Sequence, residues 1–508
     1  MEKLATVTVP VPPITYPNWR PSALDVAFGL LVISIAWTYF QHGLSRVPGP
    51  FLASITPIWK ILTVWKEDAP RRSLALHKQY GPVVRVGPKH VSVSSPEALQ
   101  LVYSFKTAFA KAPMYAVGQP HVEGQPLPNL FSVRDPKTHI QLKRTIGGIY
   151  SMSSMKELEF RIDNCVNIFL RKFREATQNG TAVMDMSAWV QFFSFDTIGE
   201  VNFSKNFGFL ETGTDVDWAI KEAEDRMRYF ELAGQCPSIE GAFSKLRKLA
   251  GKSQLNPLIE YALEAVRERV ESKESPEDVM TRLLRLHETK PDKLSRLEVT
   301  AAVYINLVAG HDVLAITFRT ILYHLGRNLR ARQNLLDEIF SASQTFSKPV
   351  KMSEASQLPY LSAVIHEALR IHPNIGLMLE RVVPSGGTTL HGYTLAEGTV
   401  IGLNAAVIHR NEDIFGEDVE SFRPERWIEC PPEQLREMHR NLFTFGAGPR
   451  GCVGKNLALL QIHKLIVELY RNFDMELVNP DQDWHVQGGW IHKQTNMDMY
   501  ISQNGRGW

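Results

Sequence analysis

From Leu297 to Asn328 the chain reads LEVTAAVYINLVAGHDVLAITFRTILYHLGRN. No other segment narrows the fold as much. As a helix it would extend roughly 48 Å at 1.5 Å per residue, enough to cross a whole domain. A membrane span is the competing reading, and His311, Asp312, Arg319 and His324 make that costly in lipid. The run is therefore expected as a central buried helix.

The rest of the chain is ordinary in bulk. It has 508 residues, 44% hydrophobic and 22% charged, with a formal net charge of +2. That is enough for a very large core, and nothing global points to nucleic acid. No Gly/Ser-rich linker, repeat or low-complexity block divides it. The four cysteines, Cys165, Cys236, Cys430 and Cys452, form no CxxC pair. A structural zinc site and a disulfide framework are both excluded on that count, and a reducing compartment is expected.

Ala23 to Phe40 (ALDVAFGLLVISIAWTYF) carries one charge, Asp25, at its edge. About eighteen to twenty apolar residues span a bilayer core. The proline-rich stretch upstream lacks the charged region of a secretory signal, so a single membrane anchor is expected over residues 23–42. Arg20 and Arg46 nearly cancel as orienting charges. Residues 1–22 are expected as a short tail and 43–508 as one folded domain. Pro48-Gly49-Pro50 is expected to stop the helix and redirect the chain.

Downstream, Val83 to Val93 reads as a hairpin, Lys137 to Tyr150 as a helix, and Met184 to Phe209 as buried helix. Ser275 to Arg296 reads as charged and exposed. Leu358 to His372 is an amphipathic helix, Thr388 to Val400 short strands, and Lys455 to Asn472 a last helix. The fold class is mainly α with a small β part.

Between them lies FGAGPRGCVG, Phe445 to Gly454. Gly446 to Gly451 matches GxGxxG, but the βαβ context of a dinucleotide site is missing, and Pro449 removes an amide where phosphate needs one. A nucleophilic cysteine would need a histidine base and an oxyanion pocket; His439 and His463 are near in sequence without any protease-like signature. A metal thiolate fits better. Cys452 precedes a helix N-terminus, whose amides and partial positive charge lower a thiol pKa. Gly448 and Gly454 let backbone lie against a planar ligand, Arg450 can pair with a carboxylate, and Phe445 can shield the sulfur. Those needs suit haem iron with a cysteine ligand.

The loop satisfies FxxGxRxCxG at Phe445, Gly448, Arg450, Cys452 and Gly454. By average composition, chance gives this in roughly one chain of this length in several thousand. It resembles the haem-binding loop of the cytochrome P-450 family of haem-thiolate monooxygenases. The resemblance covers about residues 43 to 508. It implies the family's mainly α domain with a small β part, haem b, and Cys452 as the iron ligand. The family's ExxR is matched by Glu367–Arg370, selected by position because Glu264, Glu433 and Glu437 begin the same pattern. By resemblance Glu367, Arg370 and Arg426 form a buried structural ion network. The haem carboxylates would be met by Arg450, by Arg381, and by His139 and Lys143 in place of the family's Trp-x-x-x-Arg.

The distal motif AGx(D/E)T reads Ala309-Gly310-His311-Asp312-Val313 here. Gly310 is small, Asp312 supplies the acid, and valine replaces the threonine that usually helps deliver protons. His311, Thr317 or a substrate hydroxyl is expected to take that part, or the outcome shifts to rearrangement or desaturation. Residues 105–130, 301–314, 374–380 and 488–495 fall where family members contact substrate, and their composition implies an apolar small molecule. The expected partner is an NADPH-dependent flavoprotein reductase, docking on His439, Arg440, Lys455, Lys143 and Arg144. The expected location is the endoplasmic reticulum membrane, with the domain facing the cytosol. The stretch RVVPSGGTTLHGYTLAEGTVIGLNAAVIHRN resembles fungal pisatin-demethylase-like enzymes of specialised metabolism. A haem-thiolate isomerase or dehydratase, needing neither oxygen nor reductase, is the alternative, and a non-enzymatic haem carrier the third.

Overall fold

The computed structural model describes residues 22–105, 109–241, 257–272 and 274–505. The expected tail apart from Ser22, and Lys106 to Ala108 of the first expected substrate segment, lie outside them.

The helices that matter for the site are α1 (Ala23–Phe40), α2 (Pro136–Ile146), α3 (Met186–Phe203), α4 (Ala219–Ala233), α5 (Arg296–Gly310), α6 (Asp312–Arg327), α7 (Pro359–Ile371) and α8 (Lys455–Asn472). The strands are β1 (Val83–Gly87), β2 (His90–Val93), β3 (Ala110–Lys111), β4 (Arg381–Val382), β5 (Val400–Leu403), β6 (His485–Gly488) and β7 (His492–Thr495). One sheet runs β1-β2-β5-β4-β3. Its register sets Lys111 opposite Arg381 and Ile401 opposite Arg381 on the other side. Hairpin β6–β7 stands apart, and Phe473–Leu477, Asp498–Gln503 and Ala182–Asp185 make a three-stranded sheet.

Apolar spacing explains the helices, and caps explain their starts. Ser295 opens α5 with a capping box to Glu298, and Asp185 opens α3 by accepting from Ser187 and Ala188 N–H. α3 is buried nearly all round, packed on α5 and α6. The core is built mainly around these three and α8.

The long apolar run is mostly buried, as expected of a core element. It is two helices rather than one: α5 ends at Gly310 and α6 starts at Asp312. α1 is apolar and has no buried residue. It ends at Phe40, where Gly43 turns with φ +66, so the turn, and not Pro48, stops the helix. Gly49 has another purpose: a Cβ there would lie 2.2 Å from the Arg85 carbonyl oxygen. The segment expected to be exposed, 275–296, instead holds the helix Val279–Thr289, which buries Val279, Met280, Leu283 and Leu284. Its charges dominate the composition, while its apolar residues recur at helical spacing and pack inward.

Candidate active site

Glu367 on α7 has no solvent exposure, and neither has Arg370 one turn on. Arg370 Nε and Nη2 donate to the two carboxylate oxygens at 2.9 and 2.8 Å. Arg426 Nε at 3.0 Å, Arg423 N–H at 2.9 Å and Trp427 Nε1 at 2.8 Å complete the shell of Glu367. Arg426 also donates to Asp418 Oδ1 at 2.7 Å and to the Phe415 carbonyl. Burial pushes the Glu367 carboxyl up, but Arg370, Arg426 and the Arg423 N–H outweigh it and hold it below its usual value. Of the other matches to ExxR, Glu264–Arg267, Glu433–Arg436 and Glu437–Arg440 are surface pairs, worth little by comparison; Glu420 and Arg423 pair with other residues, and Glu468–Arg471 on α8 is a second buried pair at 2.9 Å.

The network reaches the cysteine loop through a residue not singled out in the sequence. His409 Nδ1 donates to the Arg370 carbonyl at 2.9 Å, and His409 Nε2 accepts from Phe443 N–H at 2.8 Å. Both ring nitrogens are thereby used by the neutral form, and burial brings its pKa down to about 3. Thr444 Oγ1 adds a bond to the Leu369 carbonyl at 2.6 Å. The loop then turns on Gly446 (φ +67) and Gly448 (φ +62). A Cβ on Gly448 would lie 1.8 Å from the Tyr103 carbonyl oxygen, so no side chain fits there. Leu442 to Phe445 is not strand, which removes the last support for a dinucleotide fold.

Cys452 N–H donates to Phe445 O at 2.8 Å, and the side chain is exposed in a cleft of about 380 Å³. The chain packed around it still desolvates the thiol and pushes its pKa up, against the pull of the Gly454 and Lys455 N–H groups and the Lys143 ammonium. The helix terminus alone does not win, contrary to the sequence argument; burial is the larger influence. Gly454 leaves room beside the sulfur, a Cβ there standing 3.8 Å from Sγ. Phe445 is half-buried, with Lys455 Nζ 5.6 Å above its ring.

Beside the loop five basic groups gather: Lys111, His139, Lys143, Arg381 and Arg450. Arg450 donates to the carbonyls of Val133 (2.5 Å) and Arg134 (2.9 Å), and Lys143 Nζ to those of Pro449 (2.8 Å) and Gly451 (2.7 Å). Arg381 donates to Glu380 O at 2.9 Å and lies 4.9 Å over the Tyr103 ring. Lys111 donates to Phe131 O at 2.5 Å, and His139 Nδ1 is buried without a partner. Among the described residues none of the five forms an ion pair with a carboxylate. Burial and the neighbouring Arg381, Arg450 and Lys143 hold the Lys111 ammonium far below its usual pKa. Burial and the same cations bring His139 to about 3, and burial with Arg381 brings Arg450 to about 10. Charges buried this way call for a counter-anion. A group with carboxylates at its edge and a metal for Cys452 fits both needs, and haem b is such a group. Lys111 was missed in the sequence because β3 is two residues long and carries no motif; only the pairing with Arg381 exposes it.

On the other side, α5 and α6 bring together Gly310, His311 and Asp312. A Cβ on Gly310 would lie 2.8 Å from Ile198 Cδ1, so its smallness serves the packing of α3 on α5. The fully buried His311 ring stacks on Phe195 at 3.9 Å, and its Nδ1 lies 2.9 Å from Gln191 Nε2 and 3.3 Å from Asp312 Oδ1. Asp312 Oδ1 accepts from the same amide at 2.9 Å. Burial would raise the Asp312 carboxyl, but His311, Lys493 and Arg319 hold it well below its usual range. The Val313 carbonyl accepts from Asn374 Nδ2 at 2.8 Å and from the Thr317 hydroxyl at 3.2 Å.

The comparisons with known proteins agree with this geometry. A cytochrome P-450 family model matches residues 48–497. The chain is 33% identical over 475 residues to the cytochrome P-450 monooxygenase cicH of Emericella nidulans, covering 91% of this chain and 95% of that protein. It is 32% identical to gsfF of Penicillium aethiopicum, over 95% of this chain and 98% of that one. It is also 32% identical to mfmA of Annulohypoxylon moriforme, over 93% and 95%. Both are likewise named cytochrome P-450 monooxygenases. The chain belongs to the cytochrome P-450 family: it is an oxidoreductase of the haem-thiolate monooxygenase class, whose haem b iron is held by cysteine.

Proposed function

We propose that this enzyme is a membrane-anchored monooxygenase that oxidises an apolar small molecule in fungal specialised metabolism, with Cys452 as its iron ligand. The observation that carries the reading is the pairing of Cys452, which lines the cleft, with five basic groups that have no carboxylate of their own among the described residues. When bound, haem would supply oxygen activation, helped by the electron push of a thiolate. The chain's own residues do the rest. Lys111, His139, Lys143, Arg381 and Arg450 would bind the haem carboxylates. Phe445 covers the sulfur side, and Glu367, Arg370 and Arg426 keep the loop in register through His409 and Thr444.

α1 would anchor the enzyme in the endoplasmic reticulum membrane, the domain facing the cytosol. The cleft at Cys452 is edged by Lys143, His439, Arg440 and Lys455. This cationic rim supports docking of an acidic, NADPH-dependent reductase there. The substrate would be apolar, since Tyr115, Phe131, Phe230 and Trp490 form an aromatic cluster with ring centroids 5.2–5.8 Å apart.

Val313 favours one second reading, a haem-thiolate isomerase or dehydratase. Accurate-mass comparison of metabolites from the source organism with and without the gene separates the two. A lost product one oxygen heavier than the accumulated precursor supports the monooxygenase. An isomeric pair, or one differing by water, with turnover independent of NADPH and oxygen, supports the alternative.

A further inference from the structure

Where α3, α6 and β7 meet, a second cavity of about 590 Å³ opens. None of the residues that line it lines the cleft at Cys452. It has two charged poles. One is basic, with Arg319 on α6 and Lys493 on β7; the other is acidic, with Asp185 and Asp498. Phe192, Ile220 and Leu477 give it an apolar stretch of wall.

Neither pole is satisfied by the chain itself. Arg319 is only 2% exposed, and its Nη1 is buried without a hydrogen-bond partner. Its other nitrogens donate to neutral oxygens: Nε and Nη2 to Ser187 O at 3.1 and 2.6 Å, and Nη2 to Gln191 Oε1 at 2.9 Å. Ser187 Oγ, on the same wall, is buried and unpartnered too. Burial lowers the Arg319 pKa to about 10, against the through-space pull of Asp312, Asp185 and Glu224. A desolvated guanidinium with a bare N–H calls for an acceptor.

Asp185 and Asp498 are opposite each other in the register of the three-stranded sheet, and like charges so placed destabilise a sheet. Asp185 Oδ1 caps α3, accepting from Ser187 N–H at 2.8 Å and Ala188 N–H at 3.3 Å. Among the described residues neither acid forms an ion pair. The nearby cations are taken: Lys493 pairs with Glu224, and Arg327, beside Tyr323, with Asp483. Arg319 reaches neither acid, so the two poles do not neutralise each other. A simple anion would suit Arg319 and be repelled by the acids; a simple cation would leave Arg319 Nη1 bare. One ligand carrying both charges answers both poles.

We propose that this cavity is a binding site for a small zwitterion, an amino acid or short peptide with an apolar side chain. Arg319 Nη1 and Ser187 Oγ receive its carboxylate, Asp185 and Asp498 its ammonium, and Phe192, Ile220 and Leu477 its side chain. Gln191 Oε1 holds Arg319 while Gln191 Nε2 holds Asp312 Oδ1, so the site adjoins the distal motif without being part of it.

The test uses the full-length, haem-loaded enzyme with L-leucine and glycyl-L-leucine as probes. The controls are isocaproate, which is leucine without its amine, and isoamylamine, which is leucine without its carboxylate. Imidazole is kept on the iron so that no probe amine binds there. Equilibrium dialysis is expected to show one saturable site for the zwitterions, with each control about tenfold weaker, the worth of one hydrogen bond to a charged group. Asp498→Asn, at an exposed position, should weaken zwitterion binding about tenfold and leave the carbon monoxide spectrum unchanged. Thr495→Trp fills the cavity from β7 and should abolish binding. Isocaproate binding as tightly as leucine, zwitterion binding unchanged in both variants, or no saturable binding with only water on Arg319 Nη1 in a crystal structure, overturns the site. None of these readouts needs turnover, so the site stands or falls apart from the monooxygenase reading.

Discussion

The two sides of the site are built on opposite terms. Around Glu367 every polar group has a partner: five donors meet one carboxylate, and the helix is tied to the cysteine loop by His409 and Thr444. Around Asp312 the polar groups are fewer and partly unsatisfied, with free atoms on His311, Arg319 and Ser187. Saturation makes one side rigid, since removing any member strands a desolvated charge. The other side has spare hydrogen-bonding capacity, which suits a place where water and protons must move.

The comparison breaks most readily at Glu367. Glu367→Ala leaves Arg370 and Arg426 buried without their carboxylate, and is expected to cost about 3–5 kcal/mol, read by denaturant unfolding of the solubilised protein. A matched Asp312→Ala should cost less; equal losses would end the contrast between the two sides. Gly448→Ala comes next. It puts a Cβ 1.8 Å from Tyr103 O at φ +62, and should lower stability by about 1–3 kcal/mol through backbone strain and weaken haem retention.

Lys111→Met separates folding from binding. It removes a buried amine whose charging is opposed by burial and by Arg381, Arg450 and Lys143, so the haem-free protein should unfold at a higher temperature. Haem binding should weaken about tenfold, the worth of one hydrogen bond to a charged group, measured by haem transfer to an acceptor protein. A joint loss of both would mean Lys111 is structural.

The last expectation concerns pH, and near neutrality its effect is small. His409, His324 and His139 have folded pKa values of about 3 against 6.5 in the unfolded chain. The unfolded chain therefore binds protons first as pH falls. The stability these groups give is whole above 6.5 and is lost progressively toward 3. Thermal unfolding temperatures should decline over that window, and His409→Gln should flatten the decline.

Much of this was legible in the chain because it depends on local residue order. The cysteine loop, the Glu367 helix and the long core run are continuous in sequence, and each carries its own spacing. The ExxR pattern shows the limit, since six copies look alike in sequence, Glu468–Arg471 is buried as well, and what marks Glu367 is its shell of five donors from Arg370, Arg423, Arg426 and Trp427. Lys111, His409 and Gln191 act through partners more than thirty residues away, so no local pattern marks them. The break at His311 was hidden inside an apolar run that reads as unbroken helix. The charged stretch 275–296 misled because surface charges outnumber the few apolar residues that set its inward face.

The central claim is that Cys452 holds haem iron beside a cradle of basic groups that, among the described residues, have no carboxylate partner. The most direct measurement is the carbon monoxide difference spectrum of the reduced, purified protein beside Cys452→Ser. A thiolate-type band in the wild type, absent from a variant that remains folded and still takes up haem, is the expected result. An imidazole-type band in the wild type, or the same spectrum from both proteins, would contradict it.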